Sequence, residues 1–135
     1  MSGAVVWMTV VLVVYLIGIY NWRRPWLHRR LMISGIVADL GLTLYLEVFR
    51  GVIGQSISGE HQINKSLLAV HVTISVLLLL SYGFVWWSAR RYRKAPKSER
   101  SLLFRRHRRL GFTALTLYLG SYVTAPGWIV ERLLF

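Results

Sequence analysis

Fourteen of this chain's 17 lysine and arginine residues fall in two short segments, residues 23–30 and 90–109, and each segment closes on His-Arg-Arg-Leu before an apolar stretch. The apolar stretches set the scale. Taken with the charged residues that lead into them, they run over about residues 4–21, 29–49, 66–89 and 108–130. Each is close to the ~20 residues that carry a helix across a ~30 Å hydrocarbon layer. A chain that is 55% hydrophobic and carries a formal net charge of +12 reconciles the two properties by burying the first in lipid and leaving the second at the lipid surface.

Short loops rich in Lys and Arg stay on the cytoplasmic side. The connections around Arg23 and around Pro96 are of that kind, whereas residues 50–66 contain only Arg50 and Lys65. Both termini are therefore expected outside. Tyr20, Trp22, Trp26, Trp86, Trp87 and Tyr92 form an aromatic belt at the inner interface, with Trp7 and Trp128 at the outer one. The first run lacks the basic leader and small-residue cleavage site of a signal peptide and reads as a retained helix. Pro25 suits the opening turn of the second helix, where its missing N–H has no partner to lose. Ser98-Glu99 reads as the start of the fourth helix, and Pro126-Gly127 as a kink or end near the outer surface.

The absence of cysteine excludes disulfides, thiolate metal sites and iron–sulfur clusters. Basic clusters can mark nucleic-acid binding, but here they abut apolar runs with Trp and Tyr beside them. Membrane lipids are the better partner and no nucleic acid is expected.

Ionisable groups inside a span are functional candidates because each is costly without a partner. Asp39 falls mid-way along the second helix, with Ser75, Tyr118 and Ser121 at similar depth. It reads either as a structural hydrogen bond between helices or as a proton-relay or ligand contact. His28 and His107 begin the second and fourth helices at matching depth. Two imidazoles so placed suit axial ligation of haem b, with Arg29 and Arg108 among the guanidinium groups available to its propionates. Toward the outer side, His71, Glu47 and Glu131, with His61 in the loop above, offer nitrogen and oxygen donors for copper, iron or zinc. By helix rise, His71 is on the order of 25 Å from His28 and His107, so the three cannot share one ion. Ordinary interfacial residues and packing remain the alternative for each.

His28-Arg29-Arg30-Leu31-Met32 opening the second span, His71 in the third, and Arg106-His107-Arg108-Arg109-Leu110 opening the fourth, followed by an aromatic-rich stretch at 118–122 and by Pro126-Gly127, resemble the family called domain of unknown function 420. The resemblance covers about residues 21–130. That family comprises small four-helix bacterial membrane proteins and includes the CtaM-type proteins linked to maturation of haem–copper cytochrome oxidases. A further histidine near the end of the second span belongs to the family pattern; here Glu47, Phe49 and Arg50 occupy that neighbourhood. The resemblance implies roles for His28, His71 and His107.

The expectation is thus an all-α, four-helix transmembrane bundle of up-down topology, residues 1–135 forming one integral domain of the bacterial inner membrane. Its expected role is non-enzymatic: binding haem or a transition metal through its histidines and assisting assembly of a respiratory haem–copper oxidase, alone or as a homodimer. Two rivals stand beside it. One is a b-type cytochrome-like electron carrier or quinone-reactive oxidoreductase; the other is a cofactor-free structural or lipid-binding subunit.

Overall fold

The structure, a computed structural model, describes residues 3–50 and 65–134, with side chains at 3, 5–45 and 66–125. Four helices account for nearly all of it: α1 (Gly3–Tyr20), α2 (Pro25–Arg50), α3 (Lys65–Lys94) and α4 (Arg100–Leu134). No strand occurs among the described residues, so the all-α expectation is met. The helices divide into two compact units: Met1–Asn64 with Ile129–Phe135, and Lys65–Trp128.

In the first unit, α1 and α2 form a hairpin whose turn is set by local chemistry. Asn21 follows the last residue of α1 and stops it by directing both its backbone N–H and its side-chain amide at the Ile17 carbonyl, at 3.0 and 2.9 Å. Pro25 then opens α2, as its ring geometry favours. Although α1 is apolar on every side, only Met8, Val11, Tyr15 and Gly18 are buried along it. Their three- and four-residue spacing is that of a helix–helix seam. Two glycines allow the close approach. A Cβ at Gly35 would stand 2.5 Å from Cε1 of Tyr15, and one at Gly18 would stand 3.2 Å from Cβ of Leu31. Trp7 reaches across from α1 and donates to the Ala38 carbonyl at 3.1 Å.

In the second unit, α3 and α4 run antiparallel in a single register. Seventeen residues along α3, from His71 to Ser88, match seventeen back along α4, from Thr124 to His107, and both ends of the ladder are hydrogen-bonded. Between them Ser75 meets Ser121 at 3.1 Å, and Gly120 lies open to Ile74. Beyond, Tyr92 packs on Phe104 with ring centroids 5.9 Å apart.

Two expectations about boundaries change. The third helix runs past the expected Ala89 through Arg90 to Lys94, and α4 opens at Arg100, next to the Ser98-Glu99 start that the sequence suggests, leaving residues 95–99 as the break. Arginine and lysine are good helix formers, and the turn needs only Pro96 to interrupt them. There Glu99 N–H reaches the Pro96 carbonyl at 3.1 Å, and the Arg100 side chain donates to the Ala95 carbonyl at 3.1 Å. Nor does Pro126-Gly127 end the fourth helix, which continues to Leu134.

The buried residues are mostly apolar, among them Val11, Tyr15, Leu78 and Tyr118, yet much apolar surface is left uncovered. Asp39, Ser81, Ser88 and Ser121 are buried, whereas Val10, Leu16, Leu44, Leu80, Phe84 and Val123 are among many large apolar residues left exposed. One described helix stretch, Ser66–Lys94, is long and apolar enough to cross a membrane; Val5–Tyr20 is apolar but shorter.

Candidate functional site

All three histidines on the described helices hold their rings by Nδ1. His28, on the first turn of α2, lies 2.8 Å from the Gly18 carbonyl of α1. A carbonyl only accepts, so Nδ1 carries the hydrogen. His71 on α3 meets the Thr124 hydroxyl of α4 at 2.9 Å, and that hydroxyl sits 2.8 Å from the Gly120 carbonyl one turn back. With the single hydroxyl proton given to the carbonyl, the oxygen accepts from the ring. The Ser121 carbonyl is a further backbone partner of the His71 ring. His107 on α4 repeats the pattern with the helices exchanged: it meets Ser88 of α3 at 2.9 Å, and Ser88 donates to the Val85 carbonyl at 2.8 Å.

One tautomer therefore satisfies all three sites, with hydrogen on Nδ1 and, in the neutral ring, the lone pair on Nε2. A carbonyl, direct or through a hydroxyl, fixing Nδ1–H is the outer-sphere arrangement that orients histidine for ligation through its other nitrogen. The sequence marks the imidazoles but not these supports. Ser88 and Thr124 are ordinary span residues until the antiparallel register puts them opposite His107 and His71.

The remaining expected residues are distributed as follows. His28 stands in the first unit, and His71 and His107 in the second. The seventeen-residue offset along α3 and α4 separates His71 from His107 by about 25 Å of helix rise, too far for the two rings to meet one ion. Arg29 and Arg108 are exposed, the latter with its guanidinium 5.7 Å from the Phe112 ring centroid. Asp39 is buried, with its carbonyl accepting from Thr43 at 3.0 Å. Ser75, expected near Asp39, is bonded to Ser121. Tyr118 is only 1% exposed. The Glu47, Glu131 and His61 side chains lie outside the described residues. Among the described residues no group of three or more His, Asp or Glu converges on one point.

Comparison with family models, with curated proteins and with solved structures finds no match to this chain.

Proposed function

We propose that this chain is a polytopic protein of the bacterial inner membrane that holds haem b or a transition metal through Nε2 of its histidines and acts as an accessory factor in building a respiratory haem–copper oxidase. The observation that carries the ligand assignment is the shared Nδ1 anchoring of His28, His71 and His107. A histidine needed only for charge at the membrane surface has no use for such a support. Its ring would turn freely in water.

The membrane assignment is supported by the many large apolar side chains left exposed and by the hydroxyl groups. All six threonines of the chain, at positions 9, 43, 73, 113, 116 and 124, donate to the carbonyl four residues back on their own helix. In lipid, where water cannot serve, each polar group must find such an internal partner. The two basic segments then lie at the cytoplasmic face, and both termini outside.

In this reading Nε2 of His28, of His71 and of His107 would each be presented to a ligand, Arg29 and Arg108 would offer charge to haem propionates, and Glu47, Glu131 and His61 would be further candidates for a metal. Haem would supply one-electron chemistry; the chain itself contributes imidazole orientation and exclusion of water. Purification of the full chain in mild detergent, followed by absorption spectroscopy and elemental analysis, tests the reading. A Soret band or a bound metal, lost on at least one of His28→Ala, His71→Ala and His107→Ala, is the expected result. A colourless, metal-free protein from cells replete in haem, iron and copper would overturn it.

A further inference from the structure

The turn between α3 and α4 carries far more positive charge than the protein itself neutralises. Ten basic residues lie between Arg90 and Arg109, and Glu99 is the only acid among them. Glu99 makes no ion pair with any of them among the described residues. Ten like charges on two short helical segments repel one another, and an anion from elsewhere would relieve that repulsion. Where that anion sits is marked by shape. A groove of about 480 Å³ opens at the turn, lined by Arg90, Arg91 and Lys94 together with Glu99 and Trp87.

Trp87 also lines a second groove, about 400 Å³, with Leu80, Gly83 and Phe84. The residues of both grooves follow one face of α3, at positions 80, 83, 84, 87, 90, 91 and 94, spaced by three and four. The first half of this face is apolar and outward: Leu80, Phe84 and Trp87 are 58%, 59% and 53% exposed. Gly83 makes a notch in it, since a Cβ there would meet no atom within 4 Å. The second half is cationic. Arg91 lies over the Trp87 ring at 5.0 Å from its centroid, so the guanidinium is held at the boundary between the halves.

We infer that this face of α3 is a binding site for one anionic phospholipid, its phosphate on Arg90, Arg91 and Lys94 and one acyl chain lying in the notch at Gly83 beneath Trp87. A free phosphate matches only the cationic half, and an apolar helix only the other. A phospholipid matches both, in the order the face presents them and at the depth where headgroup meets hydrocarbon. The inference rests on the membrane assignment proposed above but not on any cofactor.

Native mass spectrometry of the full chain in detergent, offered equal phosphatidylglycerol and phosphatidylcholine, tests it. Retention of phosphatidylglycerol over phosphatidylcholine is expected, weakening by about fivefold for each of Arg90→Gln and Arg91→Gln. Gly83→Trp, with every cation intact, is expected to displace the lipid as well. Glu99→Gln removes the one repulsive carboxylate and should tighten binding, a gain that misfolding cannot mimic. Three results would overturn the site: Arg105→Gln with Arg106→Gln lowering retention as much as the Arg90 and Arg91 pair, Gly83→Trp having no effect, or inorganic phosphate displacing the lipid at equal concentration. A protein that stays in solution without detergent would instead sink the membrane assignment itself.

Discussion

Replacing Gly35 by alanine should loosen the α1–α2 hairpin, against the usual benefit of removing a glycine from a helix. The new methyl group would stand 2.5, 2.9 and 3.1 Å from Cε1, Cδ1 and Cζ of Tyr15, and Tyr15 is only 5% exposed, so its ring has nowhere to turn. Alanine's better helix propensity contributes about 1 kcal/mol, whereas overpacking of this kind costs about 1–3 kcal/mol. Gly35→Leu carries the same clash with three further carbons and should prevent the hairpin from closing. Gly41 lies on the same helix with nothing within 4 Å of the added methyl. Gly41→Ala should therefore raise thermal stability in detergent while Gly35→Ala lowers it. Combining Gly35→Ala with Tyr15→Ala should cost less than the two effects added, because the clash is gone. Equal behaviour of the two glycines would show that Tyr15 does not fill the seam.

Ser88→Ala and Thr124→Val should each weaken ligand binding at a histidine they never replace. Both remove the hydroxyl that accepts from Nδ1–H and passes its own proton to a carbonyl. Loss of such a support lowers metal affinity about 10–100-fold. Ser88→Ala should act on the site of His107 and leave that of His71 unchanged, and Thr124→Val the reverse. Nitrogen NMR of histidine-labelled protein separates this from general unfolding. In the unsubstituted protein all three rings should show protonated Nδ1 and unprotonated Nε2, and each variant should disturb one ring only. Rings exchanging between tautomers in the unsubstituted protein would contradict the anchoring.

Much of the fold was legible in the residues. Four apolar runs of span length, Pro25 opening the second helix and Pro96 breaking the basic segment all follow from local chemistry, and α2 and the 95–99 turn appear where those residues place them. The extent of the helices was less legible. Charged residues such as Arg93 and Lys94 read as loop by polarity, yet their intrinsic preference is helical, and α3 continues through them.

The site divides in the same way. An imidazole in an apolar run stands out, as His71 does, and the repeated His-Arg-Arg-Leu marks His28 and His107 as candidates. Their supports could not, because a serine or threonine in a span is as often bonded to its own helix, as Thr73 and Ser81 are. Only the register of α3 against α4 distinguishes Ser88 and Thr124 from those. Gly35 was recognisable as a small residue permitting approach, but nothing local identified Tyr15 as the side chain that fills it. Contacts between distant positions depend on register, which periodicity within one helix does not fix.

The absence of cysteine makes one measurement clean. Lys97 is exposed in the turn between α3 and α4, so Lys97→Cys gives the chain a single thiol at the centre of the larger basic segment. If that segment faces the cytoplasm, a membrane-impermeant thiol reagent should leave intact cells unlabelled and react fully once the inner membrane is opened. Full labelling in intact cells with only the outer barrier permeabilised would place the turn outside, and the proposed membrane topology would be wrong.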